Sequence, residues 1–101
     1  MRIEDGILKI IPLKETFQHK EYTSGKVTSK FSMKYGKLEV VAKTPNGFGL
    51  WPAIWMMPVD EHVYGAHPLG GEIDIFEGQG QNTMDIISTV HYGNPLKSDS
   101  R

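Results

Sequence analysis

The sequence contains no cysteine, so no disulfide can stabilise the fold and cysteine usage does not indicate a redox compartment. No hydrophobic run approaches the ~20 residues that span a membrane, and residues 1–5 lack the apolar core of a signal peptide. An excess of one charge is also missing, because eleven basic and twelve acidic residues give a net charge of −1. The basic residues are scattered. These absences argue against a nucleic-acid partner and against a membrane partner.

Short strands separated by turns are the dominant pattern of the chain. Leu38, Val40 and Ala42 recur at every second position, as on one face of a strand, and no helical period is sustained anywhere. The pair Asp5-Gly6 is a turn signal and is expected to join two short strands. Residues 13–21 are expected to be irregular, and residues 59–69 to form a loop. The pattern predicts an all-β fold, an antiparallel β-sandwich of the jelly-roll type.

Three carboxylates crowd into one apolar hexapeptide near the middle of the chain. Side chains of a strand alternate between faces, so Glu72 and Asp74 share one face, with isoleucines on the other. Strict alternation would turn Glu77 away from them. A one-residue bulge near Ile75 and Phe76 is therefore predicted, because it would return Glu77 to the acidic face.

Glu72 and Glu77 would then lie roughly 13 Å apart between Cα atoms, at ~3.3 Å per residue. Side chains leaning toward each other would approach the roughly 5–5.5 Å carboxyl spacing of a retaining glycosidase. Carboxyl groups this close do not easily all remain ionised, which leaves one to attack and one to donate a proton. A solvated acidic edge strand, or a cation site made of carboxylate oxygens, would explain the same residues.

Trp51 and Trp55 are four residues apart, so a regular strand would present both on one face. Flat indole faces suit the apolar faces of sugar rings, which makes both residues candidates for substrate binding. Tryptophan is also highly buried on average, so both could belong to the core. Trp51, beside glycine and proline, is the better candidate for a cleft, and Trp55 is equally compatible with packing behind the acidic strand.

His91 would lie on the acidic face if residues 84–92 form the next antiparallel strand. There it could donate a hydrogen bond to a sugar hydroxyl or to Glu77, so it is the third candidate for substrate binding. The two histidines of the 59–69 loop do not have the spacing of a zinc site, and no metal site is predicted.

Residues 72–77 (Glu-Ile-Asp-Ile-Phe-Glu) resemble the catalytic signature of glycoside hydrolase family 16, in the laminarinase-like form with the extra bulge residue. Other motifs of that family follow in its order and approximate spacing, at residues 22–26, 35–39, 49–58 and 89–93. The resemblance implies retaining endo-hydrolysis of a polysaccharide substrate, a β-1,3 or mixed β-1,3/1,4 glucan.

The resemblance also implies a role for each acid. Glu72 corresponds to the nucleophile, Glu77 to the acid/base, and Asp74 to a third catalytic residue that would hydrogen-bond Glu72. The resemblance also supports sugar contacts for Trp51 and Trp55. The chemistry requires no cofactor; family members often hold a structural calcium, but no ligand set in this sequence identifies one.

His67 departs from the resemblance, because many laminarinase-like members have tryptophan there. This difference leaves open the substrate preference beside the catalytic centre. The family's catalytic domain is longer than this chain, so residues 1–101 are expected to be one partial domain, the first-half portion with the catalytic strand. A complete small β domain is the alternative.

Two other functions remain open at this stage. One is a non-catalytic β-glucan-binding module, since some relatives use the same sandwich for recognition, generally without the glutamates. The other is an inactive truncated fragment, whose unpaired strand edges would favour self-association. The family is typically secreted or periplasmic, but no export signal is recognised in this sequence.

Overall fold

The computed structural model describes all residues 1–101, in two units, Met1–Tyr35 and Gly36–Arg101. Every strand pairing is antiparallel, so the predicted all-β antiparallel class is confirmed. None of the helical structure is long and apolar enough to cross a membrane. The elements in chain order are β1 (Arg2–Glu4), β2 (Ile7–Lys9), β3 (Leu13–Phe17), β4 (Lys20–Thr23), β5 (Ala53–Met56), α1 (Glu61–Tyr64), β6 (Glu72–Gln79), β7 (Asn82–Tyr92) and β8 (Lys97–Ser100).

The first unit contains two hairpins. In the first, β1 pairs with β2 through the predicted turn, and Asp5 and Gly6 have φ values of 51° and 74°. Positive φ at both central residues is the requirement of a type I′ turn, which aspartate and glycine meet at little cost. The predicted strand pair around this turn is therefore confirmed.

The second hairpin corrects the prediction that residues 13–21 are irregular. There β3 pairs with β4, and the turn residues Gln18 and His19 have φ values of 43° and 66°. Neither residue is among the asparagine, aspartate and glycine residues that predominate in such turns. The hairpin consequently lacks the composition by which such turns are recognised.

The second unit is built on a four-stranded sheet in the order β5-β6-β7-β8. Each strand pairs with the next along the chain, so β6 and β7 are central, and β5 and β8 are the edges. The predicted loop over residues 59–69 contains a single helical turn, α1. Asp60 caps it, since its carboxylate accepts a 2.8 Å hydrogen bond from the His62 N–H.

The strand predicted over residues 38–42 is absent. Alternation of apolar side chains describes one strand, but a strand is stabilised by a hydrogen-bonded neighbour. No segment of this chain pairs with those residues, so the prediction from alternation alone was wrong.

The four-stranded sheet has one polar and one apolar face. Cross-strand partners lie on the same face, which defines the apolar face as Ile54, Met56, Ile73, Phe76, Ile86 and Val90. No hydrophobic side chain of the chain is fully buried. The two side chains buried to 5% exposure are polar ones of the opposite face, Asp74 and Thr89.

Backbone hydrogen bonds attach the segment before β5 to the turn between β6 and β7. The Gly47 N–H donates to the Gly80 carbonyl at 2.9 Å, and the Gly80 N–H donates to the Leu50 carbonyl at 2.8 Å. This double contact needs a glycine at position 80. A Cβ there would lie 2.3 Å from the Gly47 carbonyl oxygen and 2.7 Å from Leu50 Cβ.

We expect Gly80→Ala to lower the free energy of unfolding by about 1–3 kcal/mol, because the backbone must move to admit the methyl group. Urea unfolding of the two proteins measures the difference. Gln81→Ala, an exposed change in the same turn, is the control and should stay within about 0.5 kcal/mol of the wild type. Equal losses in the two variants would contradict the role of Gly80.

We also expect the chain to self-associate, since its four-stranded sheet has two edge strands and an uncovered apolar face. Light scattering of the chain over a concentration series measures this. Ile86→Lys places a charge on the apolar face, whereas Val63→Lys places one on α1 as a control. Association weakened only by Ile86→Lys would assign the contact to the apolar face, and a monomeric wild type would contradict the expectation.

Candidate active site

An extra residue in β6 determines which side chains face the same way. Asp74 pairs with Thr89 and Glu77 with Ile87, so three residue steps on β6 lie opposite two on β7. The pairing with β5 is irregular at the same place. The bulge predicted near Ile75 is therefore confirmed, and it returns Glu77 to the face of Asp74.

The bulge is stabilised by a side chain of the neighbouring strand. The Ser88 hydroxyl donates a 2.9 Å hydrogen bond to the Ile75 carbonyl, at the place where the ladder is irregular. Register and hydrogen bonding thus agree on where the extra residue sits.

The three acids of β6 line one open cleft of about 240 Å³. Its lining consists of the acids and apolar or aromatic side chains of the adjoining segment: Glu72, Asp74, Glu77, Trp51, Ala53 and Trp55. Trp55 is the cross-strand partner of Asp74 and lies on the acidic face, so it does not pack behind the acidic strand. Both indoles are accessible, with Trp51 75% and Trp55 37% exposed.

Glu77 is contacted by donors from two different segments. The Trp51 indole N–H donates to Oε1 at 3.2 Å, and the Thr89 hydroxyl lies 3.4 Å from Oε2. The same hydroxyl is 3.0 Å from Ser100 Oγ on β8. The segment before β5 and the strand β7 therefore hold one carboxyl group from opposite sides.

Asp74 and His91 are paired with each other. His91 Nε2 lies 3.0 Å from Asp74 Oδ2, and the aspartate is 5% exposed. The expected hydrogen bonds from Asp74 to Glu72 and from His91 to Glu77 are thus replaced by a direct Asp74–His91 contact. Two ionised carboxylates have no proton to share, whereas an imidazole N–H can donate to either.

Ligand atoms of Asp74, Glu77 and His91 all lie within 4.8 Å of one another. Carboxylate oxygens and an imidazole nitrogen are suitable donors for a divalent cation. The direct contact between His91 and Asp74 already uses one atom of each. Glu77, the third member, is instead hydrogen-bonded to Trp51 and Thr89.

His67 is a contact of the acidic face that sequence reasoning missed. Its Nε2 lies 3.0 Å from Glu72 Oε2, and its ring is 6.3 Å from that of His91 in an edge-on arrangement. The contact joins a loop to a strand, so no periodicity could predict it. The one signal in the sequence was the unusual histidine itself, at a position where the resemblance implied tryptophan.

Each acid of the cleft consequently has its own donor: His67 for Glu72, His91 for Asp74, and Trp51 with Thr89 for Glu77. The candidates Glu72, Asp74, Glu77, Trp51, Trp55 and His91 are brought together on one face. Two carboxyl groups facing one cleft, beside exposed indoles, can supply an acid and a nucleophile to a ligand that stacks on aromatic rings.

Comparison with known proteins gives one family match and several similar proteins. The profile of glycosyl hydrolases family 16 matches residues 8–100. A glucan endo-1,3-beta-glucosidase of Cryptopygus antarcticus is 43% identical over 97 residues, covering 91% of this chain and 36% of that protein. A beta-glucanase of Rhodothermus marinus is 43% identical over 94 residues, covering 89% of this chain and 32% of that protein.

A beta-1,3-glucan-binding protein of Penaeus monodon is 46% identical over 68 residues, covering 67% of this chain and 18% of that protein. No solved structure matches the chain significantly. The chain spans 36% or less of the length of these three relatives. The predicted resemblance to the family is confirmed.

Thr89→Val tests the polar contacts beneath Glu77. Valine has nearly the same shape but no hydroxyl, so Glu77 and Ser100 each lose a partner. We expect the free energy of unfolding to fall by about 1 kcal/mol, measured by urea unfolding. Thr83→Val, at an exposed position of the same strand, should change it by less than about 0.5 kcal/mol. No difference between the two variants would contradict a stabilising role for the Thr89 hydroxyl.

Proposed function

The chain belongs to glycoside hydrolase family 16, and from this membership we propose that the protein hydrolyses β-glucan chains internally, with retention of configuration. The proposed linkage is β-1,3, or mixed β-1,3/1,4. The observation that carries the proposal is the shared cleft of Glu72 and Glu77, two carboxyl groups of one strand beside two exposed indoles.

In the proposed first step, a carboxylate oxygen of Glu72 attacks the anomeric carbon. The glycosidic bond breaks, and Glu77 donates its proton to the departing sugar oxygen, which leaves a glycosyl ester on Glu72. In the second step Glu77, now ionised, takes a proton from water while the water oxygen attacks the anomeric carbon. The ester bond breaks, and both glutamates return to their initial protonation states.

The order of the residues in the family signature supports these two assignments. The hydrogen bonds of Glu77 support them as well, because Trp51 contacts one oxygen and Thr89 the other, so the carboxyl group is held toward the cleft. Asp74 is proposed to assist by keeping His91 in place beside the two glutamates.

Trp51, Trp55 and His91 are proposed to contact the substrate. The indoles are accessible and line the cleft that contains the acids, as required for stacking on sugar rings. His91 lies half-buried on the same face, with Nε2 on Asp74 and Nδ1 buried without a hydrogen-bond partner, so its proposed contact with the substrate rests on its position beside the acids. Nothing in the proposed steps calls for a metal ion or an organic cofactor.

Binding without hydrolysis is the second candidate, favoured by the similarity to a protein named for binding β-1,3-glucan. Both glutamates of the signature are present here and face one cleft, which favours hydrolysis over binding alone. The two functions share the tryptophans and differ in whether the acids are needed.

The first experiment measures reducing-sugar release from laminarin by the wild-type chain, Glu72→Gln and Glu77→Gln. We expect Glu72→Gln to abolish release, because an amide is a poor nucleophile, and Glu77→Gln to reduce it by roughly 10²–10⁴-fold. Glu21→Gln, an exposed change on β4, is the matched control and should retain wild-type activity. Full activity of both Glu72→Gln and Glu77→Gln would contradict the proposal. Glucan binding by the wild-type chain without sugar release would favour the second candidate.

Azide distinguishes the roles of the two glutamates. With an aryl β-glucoside whose leaving group needs no proton, Glu77→Ala should still form the glycosyl ester, and azide should then displace Glu72 to give a β-glycosyl azide. Glu72→Ala leaves room for azide on the other face of the sugar, which should give the α-glycosyl azide. The reverse pairing of products, identified by proton NMR, would exchange the two assignments.

A further inference from the structure

The contact between His67 and Glu72 differs from the other contacts of the acids. His67 lies in the segment between α1 and β6 and is not part of the cleft lining, whereas Glu72 is. Its Nε2 is 3.0 Å from Glu72 Oε2. The imidazole therefore contacts the glutamate from a loop and not from a neighbouring strand of the sheet.

The acidic face needs donors because three carboxylates occupy one strand. Glu72 shares its cleft with the carboxyl groups of Asp74 and Glu77, pairs across the strands with His91 on β7, and is contacted by His67 from the loop. His91 is already engaged with Asp74. His67 is thus the donor available to Glu72.

We propose that His67 is a positioning residue for Glu72, holding Oε2 so that Oε1 is presented to the cleft. This inference rests on the proposed function, in which Glu72 attacks the sugar. A glutamate side chain samples many rotamers, and a charge-assisted hydrogen bond to one oxygen restricts that sampling before substrate arrives. The same N–H can remain on Oε2 while Oε1 forms and loses its bond to the sugar.

A second consequence concerns the breakdown of the glycosyl ester. When the ester bond breaks, the carboxylate of Glu72 regains its negative charge, and a hydrogen bond to a charged acceptor is stronger than one to an ester carbonyl. His67 therefore favours release of the sugar from Glu72 as well as the orientation of the attack. It acts through Glu72 in both steps and does not touch the substrate.

The test compares His67→Leu and His67→Gln with the wild-type chain on laminarin. We expect kcat to fall about tenfold or more in His67→Leu, because the donor is lost. KM should remain within about twofold, since the substrate does not contact residue 67. Glutamine carries an N–H at a similar reach, so His67→Gln should recover most of the lost kcat. His62→Leu, on α1, is the control for loss of a nearby histidine that does not contact Glu72, and it should leave kcat and KM unchanged.

Glu72→Gln in the same assay separates the two proposals. If Glu72→Gln is as active as the wild type, or the wild type is inactive, the proposed function fails and the role of His67 fails with it. If Glu72→Gln is inactive while His67→Leu matches the wild type, the inference about His67 alone is overturned. A rise in KM with unchanged kcat would also overturn it, because it would indicate direct contact with substrate.

A measurement without substrate covers the case in which His67→Leu does not fold. Nitrogen-15 NMR of the imidazole rings identifies which ring nitrogen carries the proton in a neutral histidine. We expect the Nε2–H form for His67 in the wild type and a mixture of forms in Glu72→Ala. The same tautomer distribution in both proteins would overturn the proposed hydrogen bond.

Discussion

The cleft depends on a single extra residue in β6. With regular alternation, Glu77 would project from the apolar face and Phe76 would take its place beside Asp74. The bulge exchanges these two side chains, while Glu72 to Asp74 before it and Glu77 to Gly78 after it pair regularly with β7. The Ser88 hydroxyl donates to the Ile75 carbonyl within the bulge, so a side chain of β7 supplies a hydrogen bond where the register is irregular.

A second dependence follows from crowding three acids on one strand. Burying a carboxylate is costly unless it is paired, and Asp74 is 5% exposed. Its partner His91 comes from β7, the partner of Glu72 comes from the loop before β6, and Trp51 reaches Glu77 from the segment before β5. The acids therefore share one strand, whereas their donors come from three separate segments. Correct assembly of the second unit is a condition for all three pairs.

The features predicted correctly from sequence were those encoded over a few neighbouring residues. Asp5 and Gly6 are residues that readily adopt positive φ. In the hexapeptide of β6, strict alternation would separate Glu77 from the other two acids, and a bulge returns it to their face. Three features were predicted wrongly or missed. Residues 38–42 alternate correctly but lack a neighbouring strand, and Gln18-His19 turns without a turn-forming composition. The contact of His67 with Glu72 was missed because it depends on where a loop returns to the sheet.

The attachment of residues 47 and 50 to Gly80 is made by main-chain atoms on both sides. The side chain of Phe48, between residues 47 and 50, takes no part in these hydrogen bonds. Phe48 is 93% exposed. Phe48 can therefore be replaced by other side chains without breaking the backbone hydrogen bonds that fix the segment leading to Trp51.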